Sequence, residues 1–292
     1  ALWIAADCRP DSVICAREPR ELCPGAEHHK ASAMPDVAPM EDHNKRMAEI
    51  REKHDEMQLR TFTRWWNSVL SRRKMKVEDL CEDVKTGVLP INLYECLSGA
   101  LVKRYVAEPK TRFAMMENNA TFISQLKAKG MRLVNIAAED VTDGNRKLLL
   151  GLTWTLILRY EIQKYGDDEQ ELLRWVRDST KGYSGVEITS WSDSFVSGLA
   201  FGALINKHEP SVLDYDSLSQ GSSLSNLESV FSAAEAKLGV PRLIEPAELA
   251  DNPYADDRSV ITYVAKLRQA RGAPARPRAR PARTRAACTP SR

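Results

Sequence analysis

Two stretches of about 105 residues carry the same punctuation in the same order, and this duplication constrains the fold more than any other feature. Each half opens on an amphipathic helix that holds a Trp, first Trp66 and then Trp175. Each then has a Gly-hydrophobic pair ahead of a leucine-rich stretch: Gly87-Val88 with Leu93, and Gly198-Leu199 with Leu204. Each closes with an aromatic-bearing helix after an acidic turn, Asp143 before Trp154 and Asp257 before Tyr263. The offsets at both ends are about 110 residues, as duplication of a single unit requires. No convincing run of alternating strand residues interrupts the pattern, so the expected fold class is all-α with two tandem helical domains. A chain of 292 residues accommodates two such cores, each large enough to fold without staples.

The helical periods set the boundaries. Leu59, Phe62, Trp66, Val69 and Leu70 form one apolar face, and Arg60, Thr63, Arg64, Asn67 and Arg72 form the opposite one. Leu224, Leu227, Phe231, Ala234 and Leu238 predict another helix, ended by Gly239 and Pro241. The last helix spans Ser259 to Leu267, with Val260, Ile261, Val264 and Leu267 as its buried stripe. Residues 1–40 lack a period and are expected to be disordered. Residues 41–57 form a polar lead-in helix, 58–165 the first domain and 168–270 the second, with the linker around Tyr165, Gly166 and Asp168. Residues 271–292 hold seven Arg and no acid, an Arg/Pro/Ala tail that cannot build a core. The remaining chain carries 35 basic against 40 acidic residues, so any basic surface on the folded part must be local.

Several chemistries are excluded by spacing. Cys8, Cys15, Cys23, Cys81, Cys96 and Cys288 show no C-x-x-C pair, which argues against a zinc site or a disulfide framework and for a reducing cytosol. The apolar run Leu148 to Leu158 is too short to span a bilayer and reads as a core helix. Ala1 to Ala6 lack a basic n-region and a long h-region, so no secretory signal is expected. Gly182-Tyr183-Ser184-Gly185 is not a nucleophile elbow, and no phosphate-binding loop occurs. The Asp143-Gly144 loop places Leu150 where a calcium loop needs Glu. His28-His29 and His208 have no constellation of metal-ligating partners. The expectation is a non-enzyme without cofactor or metal.

The segment Thr61-Phe62-Thr63-Arg64-Trp65-Trp66-Asn67-Ser68 resembles the first helix of the first calponin-homology domain in the spectrin, α-actinin, dystrophin, plectin and cortexillin group. Val134-Asn135-Ile136, Asp143-Gly144-Asn145, Lys147-Leu148, Gly151-Leu152-Thr153-Trp154 and Ile157-Leu158 resemble the signature that closes that domain. Leu172-Leu173-Arg174-Trp175, Ser197-Gly198-Leu199-Ala200, Leu238-Gly239-Val240-Pro241 and Arg258-Ser259-Val260-Ile261-Thr262-Tyr263-Val264 look like the second-type domain. The resemblance covers roughly residues 58–269. It implies F-actin as the partner, a cytoplasmic, cytoskeletal location, and three contact segments. The first carries Arg60, Thr63, Arg64, Asn67 and Arg72. The second carries Lys147, Leu148, Leu149, Leu152, Thr153 and Thr155. The third carries Leu172, Arg174, Trp175 and Arg177. The family also suggests anionic phosphoinositide lipids as a lesser partner. Two departures stand out: Thr86 and Ser197 replace the usual Asp before the glycine, and Pro90 falls near the start of the leucine-rich helix.

Most residues of these motifs are also read as structural: Trp66, Trp154, Trp175 and Trp191 as core, together with Phe62 and Leu152. The alternatives to actin binding are a calponin-homology scaffold, or a microtubule or signalling adaptor. A lesser alternative is non-specific nucleic-acid binding by the basic tail. The second domain is expected to modulate access to the first by packing against it.

Overall fold

Apolar residues at helical spacing leave each helix with one face to bury, and burial selects how the helices pack. The structure, a computed structural model, describes residues 40–163 and 168–270. The expectations for residues 1–39, for Tyr165 and Gly166 and for the tail 271–292 lie outside these, as do Cys8, Cys15, Cys23, Cys288 and His28-His29. The first unit comprises α1 (Met40–Leu70), a short α2 (Leu80–Asp83), α3 (Val88–Ser98), α4 (Arg112–Ala128), a short α5 (Ala138–Thr142) and α6 (Arg146–Ile157). A π-helical turn, Leu158–Ile162, extends α6. The second comprises α7 (Glu169–Thr180), α8 (Leu199–His208), α9 (Ser223–Ala233), a short α10 (Pro246–Leu249) and α11 (Asp257–Ala270). The described residues contain no strand. In chain order α7, α8, α9 and α11 repeat α1, α3, α4 and α6.

Helix starts follow the local chemistry. Asp79, Thr111, Asn145 and Asp168 each accept from a backbone N–H in the first turn of the following helix. The departures noted in the sequence are absorbed here. The Thr86 hydroxyl accepts from Val88 N–H at 3.3 Å, and the Ser197 hydroxyl accepts from Leu199 N–H at 3.3 Å. Pro90 stands in the first turn of α3, where its missing N–H has no intrahelical partner to lose.

A buried asparagine reproduces the duplication in space. Asn118 donates to Thr86 C=O at 3.0 Å and Val106 C=O at 2.8 Å, and accepts from Val106 N–H at 2.8 Å. Asn226 does the same with Ser197 C=O at 3.0 Å, Ser219 C=O at 2.7 Å and Ser219 N–H at 3.0 Å. Each clamps a loop beside the glycine that opens the leucine-rich helix. A Cβ on Gly87 would lie 2.4 Å from the Asn118 Cβ, and one on Gly198 would lie 3.0 Å from the Asn226 Cβ. Both glycines also have positive φ, 74° and 78°.

Several expectations shift. α1 is continuous from Met40 to Leu70, with no break between the lead-in and the first domain, because the sequence there has no helix-breaking residue. Trp66, Trp154 and Trp191 are buried, but Trp175 is half-buried, stacked on His208 at 5.3 Å and facing the Arg268 guanidinium at 5.1 Å. Leu224 is 55% exposed, since it lies in the first turn of α9 ahead of the packed stretch. Phe62, Leu152, Val260, Ile261, Val264 and Leu267 are buried.

Candidate functional site

The first contact segment lies on the C-terminal half of α1. Arg60 and Arg64 face the second unit; Arg72 follows α1 in a 3-10 turn, where it donates to Cys96 C=O at 3.5 Å. Arg60 Nε stands 2.7 Å from Glu248 Oε1, and Arg64 Nη1 stands 2.7 Å from Glu248 Oε2 and donates to Leu243 C=O at 3.2 Å. Glu245 lies 3.7 Å from Arg64 Nη2. Glu248 therefore accepts a bidentate guanidinium and a second arginine at once. Burial pushes its carboxyl up, but hydrogen bonds from Arg64 and from the Glu245 N–H, with the charges of Arg64 and Arg60, hold it below the usual range. Arg72 is exposed. Asn67 is committed to the fold, donating to Val77 C=O at 2.8 Å and accepting from Val77 N–H at 2.7 Å. Thr63 donates to Leu59 C=O within its own helix.

The second segment is α6. Lys147 is exposed, and Leu148 and Thr155 are half-buried. Leu149, Leu152 and Thr153 are buried, Leu152 as its reading as a core residue requires. Their burial has a direct cause. α6 packs on α1, where Trp66 Nε1 donates to Thr153 Oγ1 at 3.1 Å and the Phe62 and Trp154 rings stack at 6.5 Å. In the third segment, α7, Leu172 is likewise buried. Arg174 pairs with Glu171 at 2.9 Å, and Arg177 donates to Ile188 C=O at 3.1 Å, both within the second unit. α6 thus packs directly on α1. The named partners of α7 belong to the second unit.

Further contacts, none expected from the sequence, hold the units together. Gln58 Nε2 donates to Asp256 Oδ1 at 2.6 Å, and Asp256 N–H approaches Met57 Sδ at 3.4 Å. Asp256 also caps α11 through Ser259 N–H at 2.7 Å. Burial pushes the Asp256 carboxyl up, against hydrogen bonds from Gln58 and Ser259. Lys53 Nζ sits 4.5 Å from the centre of the Tyr254 ring, and Arg258 sits 5.4 Å from the centre of the Trp154 ring. Glu161 is buried in the π-helical turn: it accepts from Trp65 Nε1 at 2.8 Å and from Lys266 Nζ and Gln269 Nε2 of α11. These partners lie about 100 to 200 residues apart in sequence, so no local pattern announces them. Only the Asp256 cap carries a local signal, an acid three residues before Ser259.

Among the described residues, no group of three or more His, Cys, Asp or Glu side chains is placed to hold a metal ion. No described helix is long and apolar enough to cross a membrane. His208 Nε2 lies 3.1 Å from Ser179 Oγ, inside the second unit.

The calponin homology (CH) domain family matches residues 56–162 and again residues 166–273. The chain is 39% identical over 216 residues to alpha-actinin-like protein 1 of Schizosaccharomyces pombe, covering 72% of this chain and 35% of that protein. It is 37% identical over 230 residues to the erythrocytic spectrin beta chain of Mus musculus, covering 75% of this chain and 11% of that protein. The chain thus spans about a third or less of these relatives, neither of which is named as an enzyme. In fold it is similar to the actin-crosslinking core of Schizosaccharomyces pombe fimbrin, with a TM-score of 0.63 and 24% identity over 73% of this chain and 48% of that one. Two matches that together take in both helical units, each with the same buried Asn beside its glycine, place this chain in the calponin-homology family, as a tandem pair of its domains.

Proposed function

We propose that this chain is a non-enzymatic F-actin-binding module of the cytoplasmic cytoskeleton, with its principal contact on the first domain. The observation that carries the reading is the basic face of α1. Arg60 and Arg64 stand side by side and already hold carboxylates, those of Glu248 and Glu245. Filamentous actin is an acidic polymer with apolar clefts, so it offers the same chemistry that the second domain now supplies. Lys147 and the half-buried Leu148 and Thr155 on α6 extend that surface. α7, with Arg174, Trp175 and Arg177, adds a flanking contact.

The arrangement makes the second domain a competitor. While Glu248 clasps Arg60 and Arg64, the filament cannot have them, so affinity depends on the balance between packed and separated domains. Two substitutions across one ion pair should then act in opposite directions. Glu248→Gln loosens the clasp and should tighten filament binding. Arg60→Glu also breaks the clasp but removes the contact, and should weaken binding. High-speed cosedimentation of the full chain with F-actin, at two salt concentrations, measures both. Exposed charge pairs are screened, so pelleting should fall as salt rises. A well-folded chain that never pellets would replace this reading with that of an adaptor.

A further inference from the structure

The second domain ends on α11, and α11 ends beside the first domain. Its Gln269 lines one cleft together with Cys96 and Leu97 from the last turn of α3. The segment that follows, residues 271–292, holds seven arginines, no acid, and prolines at 274, 277 and 281. One sign of charge concentrated beside a folded surface is drawn to whatever carboxylates lie within reach. Most of those nearby are already engaged. The cleft is lined by Arg72, Arg159 and Lys266, and its carboxylate, Glu161, is taken by Lys266 and Gln269. Glu248 is taken by Arg60 and Arg64, and Glu228 by Arg242.

The other end of α3 is different. A groove of about 670 Å³ opens there, lined by the carboxylates Glu78, Glu82, Asp83 and Glu108 and by the apolar Val88 and Leu89. Lys76 and Lys110 are the cations of the lining, so four acids stand against two bases. Glu78, Glu82 and Glu108 are exposed. Glu78 pairs with Lys76 at 3.1 Å and Glu82 with Lys85 at 2.7 Å, surface pairs that hold their partners weakly. The groove is also close enough. From Leu97, in the cleft, back to Leu89, in the groove, is eight residues of helix, about 12 Å. Residues 271–275, extended, cover about 16 Å. The run from Arg276 to Arg285, which holds five of the seven arginines, can therefore lie over the groove.

We propose that residues 276–285 dock in this groove as a strap from the second domain to the first, with arginines against Glu78, Glu82 and Glu108 and prolines against Val88 and Leu89. Such docking asks no backbone donor of the prolines. The strap crosses the domain junction and adds to the clasp of Glu248 on Arg60 and Arg64. Strap and groove are independent of the actin reading. Trypsin cleavage of the full chain after Arg278 and Arg283, followed by mass spectrometry while the helical domains stay intact, reads the docking; Arg276 and Arg280 precede proline and are poor sites. Glu82→Lys with Glu108→Lys should speed both cuts about tenfold, and raised salt should speed them in the parent. Glu82→Gln with Glu108→Gln serves if circular dichroism shows that the lysines disturb the fold. Glu117→Lys with Glu139→Lys makes the same charge change on exposed residues outside the groove, and should shift the rates less than about twofold. Equal cleavage of the parent and the groove variants would overturn the proposal. Equal acceleration by groove and control variants would also overturn it, leaving only a diffuse attraction to net charge. So would protection that grows with protein concentration, because the segment would then lie on a second copy.

Discussion

At the scale of single residues, the informative positions are those where a small chemical change has no room. Gly87 is one. Its φ is 74° and an added Cβ would press on the Asn118 Cβ and the Asn119 N–H, whereas Gly99, with φ of 70°, has nothing within 4 Å. Gly99→Ala should therefore cost only the backbone strain, about 1 kcal/mol, and Gly87→Ala about 3 kcal/mol, because Asn118 must also move and loosen its clamp. Urea unfolding of the two variants checks the difference. Glu161 is another such position. Glu161→Gln keeps an acceptor for Trp65 but leaves the largely buried Lys266 ammonium without its counter-charge, at an expected cost of about 3 kcal/mol. Adding Lys266→Met to that variant should recover most of the loss, because a buried pair is dispensable as a pair but not as a single charge. A double variant as unstable as Glu161→Gln alone would mean that the ion pair is not what holds the turn.

At the scale of elements, α1 has two regimes in one helix. From Met57 onward it carries the core residues Phe62, Trp65, Trp66, Val69 and Leu70, while residues 43–49 are exposed throughout. A helix without an apolar partner is marginal in water. Amides of residues 44–50 should therefore exchange by local fraying, and those of 62–69 only near the global unfolding free energy, a gradient that native-state hydrogen exchange resolves. α11 depends on its cap in the same local way. Asp256→Ala removes the carboxylate that accepts from Ser259 N–H and from Gln58, and should cost about 1–2 kcal/mol by thermal melting.

For the whole molecule, two carboxylates at the domain junction respond to pH with opposite signs. Glu248 is held below the usual range while the domains are packed, so its contribution to packing is complete above the ordinary carboxylate pKa and is lost as pH falls through the depressed value. Asp256 is pushed up by burial, so its contribution is present at low pH and lost as pH rises through the raised value. Energy transfer between dyes on the two domains should thus show an acid limb that Glu248→Gln removes and a second limb, at higher pH, that Asp256→Asn removes. An acid limb that survives Glu248→Gln would place the acid response elsewhere.

Local pattern determined the helical class, the duplication and most of the buried stripe, because helical spacing of apolar residues, cap residues and Gly-Pro punctuation are short-range signals. Leu59 to Leu70 and Val260 to Leu267 are examples, and the arginines of α1 were legible as a face for the same reason. Tertiary structure decided which of the nominated residues a partner can reach. Leu149, Leu152, Thr153 and Leu172 lie inside the packing, and Asn67 is taken up by Val77. It also decided that Arg60 and Arg64 face Glu248, and that Glu161 meets Lys266. Such pairs join residues about 100 to 200 positions apart, and a periodicity read along the chain carries no information about which distant face will cover it.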